Sequence, residues 1–338
     1  MQQIPRTDII PHATPVGYLR KLGAALNYPD MWIKMDSYTA SPYGGNKPRK
    51  LEFLLADAIK ANKREILTVG GIGSNHCLAT AIYGKKLGFK VHLLLVPQPV
   101  TEHVKMSVKL FSYHGAVLHL CGSYRQVDSF VNSFLRCNSD TYYIPAGGST
   151  PLGVLGFVNA ALELKDQIHG KEIPKPDHIF LPAGTCGTLA GLILGFCLAE
   201  IPVKIHGIRV VDEGITNVET VSHLINGTLE LLTASGCKSV SGFDMKSAYT
   251  LHNDYFGKGY GEATPEGEEA ALMFKSLENI DLEVTYTAKA AAAMLSAVKS
   301  HAVSGPVLFW YTFAGPVFAS LSRKIENSIV PNEFRRFL

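Results

Sequence analysis

Apolar residues recur at helical spacing from Arg49 to Asn62, where Leu51, Leu54, Leu55, Ala58 and Ile59 line one face. Further on, short apolar runs alternate with longer periodic ones. Met31 to Met35, Ile66 to Val69, Lys90 to Val96, Ala116 to Cys121, Tyr142 to Pro145, His178 to Leu181 and Lys204 to Val210 read as strands. Asn75 to Leu87, Glu102 to His114, Tyr124 to Cys137, Gly153 to Ile168 and Thr188 to Ala199 read as helices. Ser41 to Pro48 is expected to be a loop, and Lys171 to Asp177, with two prolines, a connection. Strands alternating with helices of this length predict an α/β protein whose mostly parallel sheets are covered on both faces.

Two stretches without Asp, Glu, Lys or Arg, His178 to Ala199 and Ala302 to Ser322, are each long enough to span a bilayer, which takes about 20 residues. Pro182 with Gly184 to Gly187 interrupts the first, and Gly305-Pro306 with Gly315-Pro316 the second. Such breaks suit buried strands, Gly-rich turns and buried helices, so no membrane association is expected. The 338 residues suffice for two packed units, and 46% hydrophobic content predicts a large core. A net charge of +3 with no basic run gives no support for nucleic-acid binding. The cysteines at 77, 121, 137, 186, 197 and 237 form no C-x-x-C pair and read as buried free thiols of a reducing, cytoplasmic compartment. No metal site is expected.

Three Gly-rich segments carry the candidate chemistry, since ligands of such sheets sit beyond the carboxyl ends of the strands. Gly184-Thr-Cys-Gly-Thr-Leu-Ala-Gly191 follows a strand and opens an apolar helix. Amide N–H groups at a helix start favour an anion, and Thr185 and Thr188 add hydroxyls. A plain tight turn remains the competing reading; a phosphate cup is favoured. Gly70-Gly-Ile-Gly-Ser-Asn-His76 begins like a dinucleotide fingerprint, but His76 stands where the third glycine belongs. Ser74 is not framed as a hydrolase nucleophile. What remains is a polar trio, Ser74, Asn75 and His76, at a helix start, where one of the first two is expected to be an N-cap. In Gly44-Gly-Asn-Lys-Pro-Arg-Lys-Leu51, Lys47 lies just before a helix, with Pro48 at its first position. A lysine there opposes the helix dipole, and desolvation would lower its pKa and free its amine. An ordinary surface lysine fits the same residues.

Together, Gly44 to Phe53, Gly70 to His76 and Ile144-Pro-Ala-Gly-Gly-Ser-Thr-Pro-Leu-Gly-Val-Leu-Gly-Phe157 resemble signature segments of the D-cysteine desulfhydrase and aminocyclopropanecarboxylate deaminase family, which has the tryptophan-synthase-β fold. The resemblance runs in order from about Thr14 to Pro316. It implies two α/β domains, a small one at 50–158 and a large cofactor-binding one at 1–49 and 159–338, with pyridoxal phosphate in the cleft and a homodimeric assembly. By position, Lys47 matches the Schiff-base lysine, Asn75 the asparagine near the ring hydroxyl, and Thr185, Cys186, Gly187 and Thr188 the phosphate cup. Ser74 and His76, with Asn75, fall where the substrate carboxylate is held. Gly257-Lys-Gly-Tyr-Gly261 and Val284-Thr-Tyr-Thr-Ala-Lys289 match segments that supply two active-site tyrosines, Tyr260 and Tyr286.

Two positions separate the members of that family. After the second tyrosine the deaminases carry Glu and the desulfhydrases Ser or Thr, and here Thr287 follows. Where the deaminases have His-Leu-Gly-Gly, this chain has Tyr311-Thr-Phe-Ala314, so that Thr312 matches the desulfhydrases. A carboxylate facing the pyridine nitrogen favours the protonated ring that opening a cyclopropane demands, whereas a hydroxyl suits β-elimination. The resemblance therefore implies conversion of D-cysteine to pyruvate, ammonia and sulfide, with Lys47 or a neighbour taking the Cα proton and a tyrosine protonating the leaving group. Aminocyclopropanecarboxylate deamination and cofactor binding without turnover are the alternatives. Departures from the family pattern, at Lys34-Met-Asp36, Gly73, Cys186 and Phe313-Ala314, bear on the choice of amino acid, and Phe313 is a candidate to narrow the pocket.

Overall fold

The computed structural model describes residues 4–237, 245 and 247–338. Its strands are β1 (Val16–Tyr18), β2 (Met31–Met35), β3 (Glu65–Gly71), β4 (Lys90–Val96), β5 (Val117–Leu120), β6 (Thr141–Ile144), β7 (His178–Ala183), β8 (Lys204–Arg209), β9 (Tyr249–His252) and β10 (Val307–Tyr311). They form two sheets, ordered β1-β2-β10-β7-β8-β9 and β5-β4-β3-β6, parallel throughout except for the β1–β2 pair. The expected α/β class is what the structure has.

The chain divides into two compact units. One comprises 1–4, 10–50 and 149–315; the other comprises 5–9, 51–148 and 316–338. This differs from the expected division in three places, the short stretch 5–9 among them. The helix Pro151–His169 lies wholly in the first unit because it packs on the helix Gly187–Leu198 at very short range. A Cβ at Gly191 would lie 2.3 Å from the Cβ of Phe157, and one at Gly195 2.5 Å from that of Ala161. The C-terminal segment belongs to the second unit instead of the first. Phe334 and Val330 are buried there, and Phe318 packs its ring 5.8 Å from that of His114.

The first unit's core combines Met31, Ile33, Phe180, Ile208, Phe309 and Tyr311 of the sheet with the alanine-rich face of the helix Thr287–Lys299. A smaller cluster, Leu67, Val69, Leu94, Val96, Cys121, Val127 and Val131, serves the second unit. Continuous apolar runs in β7 and β10 follow from burial on both faces, as expected of parallel strands. Among the described residues, no helix is long and apolar enough to cross a membrane. All six cysteines are free, but Cys137 is exposed, since it ends the helix Val127–Cys137 at the surface.

The helix expected over Arg49 to Asn62 runs over Lys47–Lys60. Its end is set by Asn62, whose φ of 53° is left-handed, and by the bond from the Lys63 amide to the Ala58 carbonyl. Its start puts Lys47 inside the first turn, where a loop position was expected.

Candidate active site

Lys47 is anchored through its neighbour. The Asn46 amide donates to the Thr312 carbonyl at 3.0 Å, and Asn46 Nδ2 donates to Thr188 Oγ1 at 3.1 Å. These two bonds tie the first turn of the helix Lys47–Lys60 to the end of β10 and to the start of the helix Gly187–Leu198. Gly45 permits the approach: its φ is +84°, and a Cβ would lie 2.8 Å from the Thr312 carbonyl oxygen. Thus Asn46, the residue before Lys47, meets Thr188 and Thr312, which lie far from it in sequence.

The next residues of the motif lock that turn in place. Arg49 is buried and its guanidinium reaches Asp36 at 2.8 Å and Glu163 at 2.9 Å. Asp36 also accepts from Trp310 Nε1, and Glu163 from Lys34 and the Thr14 amide. Burial alone would raise the Glu163 carboxyl, but Arg49 and Lys34 outweigh it and hold the group down to about 2. Removing Arg49 would strand two carboxylates, a loss of about 3–5 kcal/mol on the scale of broken buried pairs.

Lys50 is the residue that the sequence did not single out. It is only 1% exposed, and its Nζ donates to Ser149 Oγ at 2.9 Å, which in turn lies 2.7 Å from Thr185 Oγ1. Burial first and the charge of Lys47 second push its pKa well below the usual lysine range. The three groups meet the start of the helix Gly187–Leu198. A Cβ at Gly187 would stand 2.5 Å from Ser149 Oγ and 2.6 Å from Lys50 Nζ. Cys186, just before that helix, has a left-handed φ of 60°, and burial pushes its thiol up to about 11. It is therefore a neutral structural group at neutral pH. Thr216 donates to the Gly184 carbonyl and fixes the base of the turn.

Helix-start amides, two hydroxyls and a buried ammonium whose charge is disfavoured together make a cradle for an anion. A phosphate fits this donor set, because its charge would reverse the penalty on Lys50. The sequence signal for Lys50 was its place three residues after Lys47 on the same helix face, and for Ser149 its place in the segment Ile144 to Phe157, though neither was singled out.

Tyr260 and Tyr286 also come together, with hydroxyl oxygens 2.5 Å apart and rings edge to face. Tyr286 is fixed by Glu283, whose carboxylate accepts from the amides of Thr285 and Tyr286 at 2.6 and 3.0 Å. Thr287 is buried, and its hydroxyl accepts from the Glu283 amide at 2.8 Å and donates to the Glu283 carbonyl at 3.2 Å. It closes the start of its own helix. Phe313 packs edge-on against Tyr311 and joins the first unit's core.

Ser74, Asn75 and His76 lie in the second unit, at the start of the helix Asn75–Lys86. Ser74 is the N-cap, its oxygen accepting from the Cys77 amide at 3.2 Å. Thr68 donates its hydroxyl proton to the Ile144 carbonyl, so His76 Nε2, 2.9 Å from Thr68 Oγ1, must be the protonated ring nitrogen. Gly73 has its amide held by Gln98 at 3.1 Å and its carbonyl by His103 at 3.0 Å.

A family model described as pyridoxal-phosphate dependent enzyme matches residues 10–312. A Pyrococcus furiosus protein, provisionally named 1-aminocyclopropane-1-carboxylate deaminase, is 32% identical over 92% of each chain. A Klebsiella pneumoniae protein named D-cysteine desulfhydrase is 31% identical over 94% of this chain and 96% of its own. Among solved structures, one described as an ACC deaminase homologue superposes with a TM-score of 0.79 at 28% identity, covering 96% of this chain and 97% of the other. A threonine deaminase from Solanum lycopersicum, at 17% identity and a TM-score of 0.61 over 95% and 85% of the chains, shares the fold. The chain belongs to the pyridoxal-phosphate-dependent enzyme family, among the D-cysteine desulfhydrases and aminocyclopropanecarboxylate deaminases, and its cofactor is pyridoxal phosphate.

Proposed function

We propose that this enzyme is a carbon–sulfur lyase that eliminates sulfide from D-cysteine, with Lys47 as the cofactor-binding lysine. When bound, pyridoxal phosphate supplies a carbonyl that takes an amine and a ring that accepts the electron pair released at Cα. Lys50, Ser149, Thr185, Thr188 and the amides around Cys186 and Gly187 hold the phosphate. By the family resemblance, Asn75 serves the ring hydroxyl, and Ser74, His76 and Thr312 bind the substrate with it.

Lys47 Nζ would take the Cα proton. The tyrosine pair supplies a proton to the sulfur as the Cβ–S bond breaks, since a short O–H···O contact lets either oxygen carry it. Water then hydrolyses the released enamine, so that D-cysteine and water yield pyruvate, ammonia and sulfide.

What supports this reading is Thr287, buried and uncharged, at the position that by the family resemblance carries a carboxylate in the deaminases. The carboxylate four residues earlier, Glu283, accepts from the backbone amides of Thr285 and Tyr286. The test is keto-acid release by the cofactor-loaded enzyme from D-cysteine, L-cysteine and aminocyclopropanecarboxylate. Release from D-cysteine with none from the cyclopropane is expected. Release from the cyclopropane would overturn the role of Thr287 and favour the activity named for the Pyrococcus furiosus relative.

A further inference from the structure

The loop that carries Tyr260 and the helix start that carries Tyr286 are joined twice. One link is the tyrosine pair itself. The other is Lys289, three residues beyond Tyr286, whose Nζ donates at 2.7 Å to the carbonyl of Phe256, four residues before Tyr260. Lys289 is fully buried, at 0% exposure. A lysine is a poor core filler, because its ammonium loses hydration there. Its position therefore calls for a role that a hydrocarbon could not perform.

The surroundings show what it grips. Its Nζ lies 5.5 Å from the centroid of the Phe256 ring, and the Arg209 guanidinium lies 4.7 Å from the same ring. Arg209 is in turn bound to Asn253 Oδ1 at 2.7 Å. The segment from Asn253 to Phe256 is thus held at both ends by cations. Immediately after it, Gly257 turns the chain with a φ of +71°, and a Cβ there would lie 2.5 Å from Thr264 Cγ2. Where this turn begins decides where Tyr260 ends. Glu283 and Glu262 favour the charged form of Lys289, while burial opposes it and lowers its pKa.

We propose that Lys289 is a positioning residue, which fixes the Phe256 carbonyl and so delivers the Tyr260 hydroxyl to Tyr286. The inference rests on the proton-donating role given above to the tyrosine pair, but the placement itself can be tested without turnover. In Lys289→Met the stem remains and the donor is lost. Amide hydrogen exchange over 253–262 is expected to accelerate in this variant while the helix Gly187–Leu198 is unchanged. On D-cysteine, kcat is expected to fall about 10- to 100-fold, the cost of a misplaced proton donor, with KM and the visible absorbance of the lysine-bound cofactor little altered.

A double-mutant cycle separates positioning from general damage. In a Tyr260→Phe background, Lys289→Met should cost nothing further, because the group it places has already gone. Additive losses, or unchanged exchange over 253–262, would overturn the proposal. If Lys289→Met fails to fold, Lys289→Gln is put through the same readouts. If D-cysteine is not turned over at all, the exchange result still decides the matter, so the two readings fail separately.

Discussion

The two Gly-rich turns, Gly70 to Asn75 and Gly184 to Thr188, look alike in sequence: each follows a parallel strand and opens a helix. Their surroundings differ. In the first, the helix start is capped by Ser74 and the Gly73 amide and carbonyl are held by Gln98 and His103, all from the same unit. In the second, a left-handed Cys186 leads into a helix whose first residue faces a buried lysine and two hydroxyls. A helix start offers N–H groups to an anion in either case. What sets the second turn apart as a candidate anion cradle is a cation delivered from a distant part of the sequence.

The largest effect that sharpens this contrast is expected from Lys50→Met. Losing one charge-assisted hydrogen bond should weaken pyridoxal-phosphate binding about 10- to 100-fold. Gln98→Ala, at the other turn, should change it by less than about threefold. Cofactor titration followed by visible absorbance measures both, and equal effects would erase the distinction.

A second effect concerns protons. Because the Lys50 pKa is depressed in the free protein, an anion binding beside it raises that pKa and takes up a proton. Affinity for inorganic phosphate should therefore fall between a pH near neutrality and one approaching the usual lysine range, by at most about tenfold per unit, the limit for one linked proton. Calorimetry at the two pH values reads it directly. An affinity independent of pH would mean that Lys50 stays charged without the anion.

The smallest effect compares the two sheets. His178, His206 and His252 form a line across β7, β8 and β9, with ring nitrogens 3.1 and 2.9 Å apart. Burial first, then His252, His178 and Lys204, push His206 down to about 3. In the other sheet, His92 meets both His119 and the Glu65 carboxylate, which offsets part of the burial penalty. For His206 the folded pKa lies below the unfolded one, so the unfolded chain binds more protons between about 6.5 and 3. Its contribution is intact above that window and declines as pH falls through it. Stability should drop by of order 1–2 kcal/mol between pH 6.5 and pH 4, and His206→Gln should flatten that slope. Thermal denaturation across the range tests this, and an unchanged slope would contradict it.

The strands from Ile66 to Val210 were legible because apolar runs and turn residues alternate there, and the helix start at Asn75 agreed with the N-cap expected beside it. Less was legible where function depends on tertiary approach. Lys50 reads as one more basic residue after Lys47, and only the fold sets Ser149 and Thr185 against it. Arg49, Asp36, Glu163 and Lys34 look like ordinary surface charges but form a buried network, since complementary pairing across long separations leaves no local pattern. The histidine lines cross strands and are invisible along the chain. Phe334 and Phe337 carry an apolar signal, but nothing in the sequence says which unit they join. The two tyrosines were singled out through the family resemblance alone, and only the fold sets their hydroxyls against each other.

The most direct test of the central claim is to follow sulfide and pyruvate together as the cofactor-loaded enzyme acts on D-cysteine, with Lys47→Ala as the blank. Equal amounts of the two products from the wild-type chain, and neither from the variant, are predicted. Keto acid without sulfide, or turnover that survives the loss of Lys47, would contradict it.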